Sequence, residues 1–201
     1  MNPGNSFYKI CYCLARAALS LFYPMKVSGR DNIPSGAAII CANHSSLVDP
    51  FLIAFVLGIK SNVHILGKAE LFKIPVISAI LKRLGMISVD REIRDVKTIR
   101  KTLGYLHKGE KIAIFPEGTR AAEDKAVTAK SGAVRIAEHA EVPIIPVFIP
   151  RKKTVFRRIT VVIGEPYIIG RQSEKRTHSD YQKLSDILME KITSFDPNTE
   201  S

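Results

Sequence analysis

The chain is short of acidic residues, short of cysteine, and without one uninterrupted apolar run long enough to cross a bilayer. Thirty Lys and Arg stand against 19 Asp and Glu, a formal net charge of +11. That balance favours a polyanionic partner, nucleic acid or an anionic membrane surface, over a surface kept basic only for solubility. Cys11, Cys13 and Cys41 form neither a CxxC pair nor a disulfide framework. An odd number of cysteines without a cleavable signal pattern implies a reducing, cytoplasmic compartment. No internal repeat, linker or low-complexity tract interrupts the 201 residues. At 46% apolar the chain is not disordered, and its length fits one domain with a substantial core.

What is present begins with "NSFYKICYCLARAALSLFYP", residues 5–24. At helical spacing Asn5, Lys9, Arg16 and Ser20 form one narrow stripe, and Phe7, Ile10, Cys11, Leu14, Ala18, Leu21 and Phe22 cover much of the rest. Roughly 18 helical residues rise ~27 Å, just short of a ~30 Å hydrocarbon core, and two charges sit mid-span. The segment therefore reads as a helix lying in a membrane interface, with a helix docked on the domain's own core as the plainer alternative. Residues 1–24 are taken as this membrane-associating segment, 25–195 as the main domain and 196–201 as a disordered tail.

Beyond Pro24, apolar strands alternate with helical patterns. Strands are predicted at 37–42, 62–67, 86–89, 111–115, 142–149 and 158–164, and helices at 50–58, 74–85, 94–108 and 130–140. A terminal helix aligns Tyr181, Leu184, Leu188 and Ile192. Pro146 argues against a central, fully laddered position for its strand. The expected fold is α/β, a mostly parallel sheet covered by helices on both faces. Ligands in such folds bind beyond the carboxyl ends of strands. His44, Asp90-Arg91 and Glu117 to Arg120 each follow a predicted strand directly, so they converge on one sheet edge.

The first cluster lies in "IICANHSSLVDPF". On a continuous helix His44 and Asp49 would be about 140° apart. They meet only if His44 is in a loop and Asp49 in the first turn of the next helix, where an acidic residue suits the positive helix end and Pro50 is at home. The pair then reads as a base and its orienting carboxylate, or else as a capping aspartate beside a loop histidine. Ser45 and Ser46 lack the glycine-flanked elbow of a serine nucleophile. His64, His107, His139 and His178 are scattered without metal-ligand spacing. In "FPEGTR", 115–120, Gly118 permits backbone approach and Arg120 can clamp a phosphate, while Glu117 either binds a hydroxyl or balances charge.

Four ordered blocks, "NHSSLVD", "GMISVDR" (85–91), "FPEGTR" and "VPIIPV" (142–147), resemble the glycerolipid acyltransferase family, in particular its bacterial 1-acyl-sn-glycerol-3-phosphate acyltransferases. The resemblance spans about residues 25 to 165. It implies transfer of a fatty acyl group from a thioester to the free hydroxyl of lysophosphatidic acid, giving phosphatidic acid. His44 is then the general base and Asp49 its support, with direct attack and no acyl-enzyme. By this resemblance Arg91, Glu117, Gly118, Thr119 and Arg120 map onto the acceptor-binding blocks, with Arg120 first choice for the phosphate, and Lys68 stands where related enzymes carry a phosphate-binding lysine. "AKSGA" is similar to the family's following Lys-x-Gly element through Lys130 and Gly132, whereas Ala121 stands where serine is frequent.

The same resemblance implies no bound cofactor or metal, with coenzyme A or acyl carrier protein carrying the donor thioester. Lysophosphatidic acid and anionic membrane lipids are the expected partners, at the cytoplasmic face of the cell membrane, and nucleic acid is not. Other acceptors, glycerol 3-phosphate or another lysophospholipid, remain open, as does a non-catalytic anionic-lipid-binding protein on the same scaffold.

Overall fold

The computed structural model describes residues 6–75, 78, 81, 86–89, 96–120, 128–172 and 174–197. Helix α1 runs Ser6–Phe22 and leads into strand β1, Met25–Ser28. Strand β2 (Ala38–Ala42) is followed by α2 (Asp49–Leu57), then β3 (Val63–Lys68) and the short β4 (Ile87–Val89). Helix α3 (Val96–His107) precedes β5 (Lys111–Ile114), and α4 (Gly132–Ala140) precedes β6 (Ile144–Phe148). Strand β7 (Ile159–Ile163) and helix α5 (His178–Thr193) complete the described elements. The predicted helix at 74–85 falls largely outside the described residues.

The strands form one sheet in the order β1-β7-β6-β2-β5-β3-β4. Every pairing is parallel except β6 with β7. All five residues of β2 are buried, as expected of a central strand covered on both faces. Ile40, Ala113, Ile145 and Val147 point to one face, where Leu52, Ile53 and Val56 of α2 meet them. Ile39, Cys41, Ile112 and Ile144 point to the other, against Leu106 of α3, Val134 of α4, and Leu188 and Ile192 of α5. The expected helix-covered, mostly parallel sheet is the architecture found.

Two strands differ from expectation. β1 has no counterpart in the sequence reading, because four residues of mixed polarity on the sheet margin leave little periodic signal. β6 is an interior strand despite Pro146. The missing N–H falls where the β6–β7 ladder is already interrupted: β7 pairs only as far as Val147, and beyond it the Gly164 N–H donates to the Pro146 carbonyl at 2.8 Å. Ile144 then resumes pairing with Tyr167.

The topology locates a crevice. From β2 the chain leaves through α2 on one face towards β3, and from β5 it leaves through α4 on the other face towards β6. The adjacent carboxyl ends of β2 and β5 are thus a point where the connections diverge, the position at which open α/β sheets hold ligands.

Candidate active site

At the end of β2, Asn43 is 1% exposed and exchanges two hydrogen bonds with Ile149. Its Nδ2 donates to the Ile149 carbonyl at 2.7 Å, and its Oδ1 accepts from the Ile149 N–H at 2.8 Å. The side chain thereby extends the β2–β6 ladder by one step and fixes the residue that follows.

That residue is His44. Its Nδ1 lies 2.9 Å from Asp49 Oδ2, and its ring stacks on Phe115 with centroids 4.2 Å apart. Phe115 immediately follows β5, so the two central strands hold the imidazole between them. Asp49 occupies the first turn of α2 beside Pro50, the geometry that lets two residues five apart meet. The same Oδ2 accepts the Ser45 and Ser46 N–H groups, each at 2.8 Å.

The other oxygen, Oδ1, is 2.9 Å from Lys153 Nζ, whose side chain is 4% exposed. Burial alone pushes the Asp49 carboxyl up, but the His44 hydrogen bond, the Lys153 cation and the Ser45 amide outweigh it and hold it below the usual aspartate range. An ionised Asp49 accepts from Nδ1–H, which leaves the Nε2 lone pair of His44 as the basic site. Among the described residues Nε2 has no hydrogen-bond partner.

Glu117 in the β5 turn has a fully buried side chain, and both its oxygens face Arg151: Nη2 donates to Oε1 at 2.7 Å and Nη1 to Oε2 at 3.4 Å. Of the two roles weighed from sequence, the geometry is that of charge balance. Gly118 takes φ +70°, and the Lys130 alkyl chain passes where a Cβ would stand, its Cε 2.8 Å from that position. Thr119 and Arg120 are exposed at the end of the turn. Lys68 ends β3, paired with Val89, and its side chain lies outside what the structure describes. Arg91 lies outside the described residues.

Three other groups are not available as nucleophile or ligand. Ser45 Oγ donates to the Arg151 carbonyl at 3.0 Å and accepts from Lys153 at 2.7 Å. Cys41 is buried, and burial pushes its thiol far up, so no thiolate is at hand. His64 is a core histidine, stacked on Tyr105 and 2.5 Å from Glu110.

Arg151 and Lys153 are the residues that reading the sequence missed. The signal was present: they follow a strand parallel to β2 and adjacent to it, the same logic that marked Glu117 after β5. The pairing of β6 with β2 was what the sequence did not show.

α1 is docked on the domain along one side. Tyr12 is buried, its ring edge-on to Phe55 of α2 at 5.3 Å, with Ala15 and Leu19 beside it. Ile10, Leu14 and Leu21, on the opposite side, are 57%, 67% and 66% exposed. No helix among the described residues is long and apolar enough to cross a membrane.

The site is thus a histidine held by a buried carboxylate at the crevice of an α/β sheet, with a glycine turn after the neighbouring strand. The chain belongs to the acyltransferases: the family model described as Acyltransferase matches residues 24–150, well over half its length.

Its relatives include the 1-acyl-sn-glycerol-3-phosphate acyltransferase of Bacillus subtilis, 34% identical over 166 residues, covering 79% of this chain and 81% of that protein. The protein of the same name from Saccharomyces cerevisiae is 28% identical over 68% of this chain, but only 46% of its own length is covered. The crystal structure of the 1-acyl-sn-glycerophosphate (LPA) acyltransferase from Thermotoga maritima superposes with a TM-score of 0.68 at 26% identity, over 94% of this chain and 80% of that one.

Proposed function

We propose that this protein acylates 1-acyl-sn-glycerol 3-phosphate from an acyl thioester, giving phosphatidic acid. The observation that carries the reading is the His44–Asp49 pair, with Nε2 left free by a carboxylate that stays ionised. The names borne by the Bacillus, yeast and Thermotoga relatives support the choice of acceptor.

In this mechanism His44 Nε2 takes the proton of the acceptor hydroxyl as its oxygen attacks the thioester carbonyl. The new C–O bond forms, a tetrahedral oxyanion results, and its collapse breaks the C–S bond. The imidazolium returns its proton to the departing thiolate. Asp49 keeps the imidazole in the required tautomer and stabilises its charged form, while Lys153 keeps Asp49 ionised. No acyl-enzyme is needed, in keeping with the engaged Ser45 hydroxyl. Arg120, Thr119 and the Gly118 turn, with Lys68 and Arg91, bind the acceptor phosphate, and Glu117 contributes by anchoring Arg151.

The donor is a thioester of coenzyme A or acyl carrier protein. The enzyme works as a peripheral or monotopic protein at the cytoplasmic membrane face, with the outward face of α1 in contact with anionic lipids.

The test is purified protein with lysophosphatidic acid and each thioester in turn, following free thiol and phosphatidic acid. Equal release of thiol and product supports the proposal. Product only with glycerol 3-phosphate or with a lysophospholipid of larger headgroup reassigns the acceptor.

A further inference from the structure

Residues 151–158, the arm between β6 and β7, read Arg-Lys-Lys-Thr-Val-Phe-Arg-Arg, five cations and no acid. Two of the five turn inward, Arg151 to Glu117 and Lys153 to Asp49. Lys152, Arg157 and Arg158 face solvent. Between these cations Val155 and Phe156 are 44% and 67% exposed.

Folding alone does not account for this tip. Phe156 takes φ 64°, a left-handed backbone unfavourable for a bulky residue, and the ring so placed is largely in water. The arm is nevertheless fixed: the Phe156 N–H donates to the Phe22 carbonyl at 2.6 Å, and the two rings lie 5.6 Å apart. Phe22 ends α1 and is 43% exposed, so the tip adds its apolar side chains to the exposed end of that helix. Two segments more than a hundred residues apart thus bring exposed aromatic rings together beside the arm's cations.

We propose that this arm is a second lipid-engaging element. Val155 and Phe156 enter an anionic bilayer beside Phe22, and Lys152, Arg157 and Arg158 take its headgroup phosphates. Both halves of the surface select the occupant. A nucleic acid or an acidic protein would match the cations and leave the apolar tip unsatisfied, and a neutral surface would do the reverse. An anionic bilayer matches both. The inference deepens the membrane-surface reading of α1 and rests on it. It also gives the arm a second consequence: its root braces Asp49, so the point of anchoring lies only a few residues from the reaction centre.

The chain has no tryptophan, so Phe156→Trp in the full-length protein introduces a single indole at the tip. With phosphatidylcholine vesicles containing phosphatidylglycerol, its emission should shift to the blue and be quenched by brominated acyl chains. With phosphatidylcholine alone neither should occur. Water-like emission from protein that floats with the anionic vesicles overturns the proposal and leaves docking to α1.

Val155→Ser with Phe156→Ser should lower partitioning about tenfold, the scale expected for losing two partly inserted apolar side chains. Phe156→Gly, which suits the backbone angle, should also weaken it with the fold intact. Arg157→Gln with Arg158→Gln should flatten the salt dependence. If flotation is unchanged in that pair while turnover falls only with the carrier-protein thioester, the arm meets the carrier and the lipid assignment is overturned. The vesicle measurements do not require acyl transfer, so an inactive protein whose tip inserts would contradict the proposed reaction and leave this inference standing.

Discussion

Lys153 Nζ sits 2.9 Å from Asp49 Oδ1, on the carboxylate oxygen that does not hold His44. The carboxylate therefore divides its work, one oxygen orienting the imidazole and the other meeting a buried cation. Lys153→Met should lower kcat about tenfold, the scale of one charge-assisted hydrogen bond of ~1.5 kcal/mol.

The same pair makes a pH prediction. The Asp49 carboxyl is held below its ordinary 3.8, so the unfolded chain binds that proton more readily than the folded one. The stability contributed is complete above about pH 5 and is lost as pH falls through the depressed folded value. The Tm difference between the wild type and Lys153→Met should accordingly shrink between about pH 5 and pH 2. A difference constant across that range would mean the lysine acts by packing alone.

Glu117 and Arg151 are unequal partners. The carboxylate is fully buried, whereas the guanidinium side chain is 19% exposed and able to reach water. Arg151→Met strands a buried charge and should cost about 3 kcal/mol in urea unfolding. Glu117→Gln removes the buried charge itself and should cost less. The reverse order would contradict the assignment of Glu117 to charge balance.

Gly118→Ala should destabilise by about 1–2 kcal/mol, the penalty of a left-handed backbone for a residue with a Cβ. The contact with Lys130 adds little, because the far end of a flexible chain can move. Thermal unfolding measures the first effect. Because the turn leads directly to Thr119 and Arg120, KM for the acceptor should rise more than kcat falls.

Deleting α1 would uncover Phe55, so it is a poor test of membrane contact. Substituting Ile10, Leu14 and Leu21 together by Ser spares the Tyr12–Phe55 contact. Vesicle flotation should fall while Tm holds, and undiminished flotation would remove α1 from the membrane surface.

The fold was legible where burial imposes a period. β2, β5 and β7 are short apolar runs and α3 carries a regular apolar stripe, so their positions could be read to within a residue or two, and the stripe of α5 marked that helix without fixing its ends. β1 was not, because a four-residue edge strand needs only half its side chains to be apolar. The site was legible where function is local in sequence: His44 and Asp49 meet across five residues, and the geometry that makes this feasible, loop then helix start, could be deduced from Pro50. Arg151 and Lys153 reach the same place from more than a hundred residues away. Only the adjacency of β6 and β2 brings them there, and hydrophobic periodicity carries no information on strand order. Pro146 misled for the related reason that a missing N–H is harmful only where a neighbour needs it.

The central claim is that His44 is the base of an acyl transfer. The most direct measurement compares the wild type and His44→Ala for coupled release of free thiol and phosphatidic acid, from an acyl thioester and lysophosphatidic acid on anionic vesicles. The expected result is a loss of turnover of about 10²–10⁴-fold with vesicle binding retained. Near-normal turnover in the variant would contradict the mechanism.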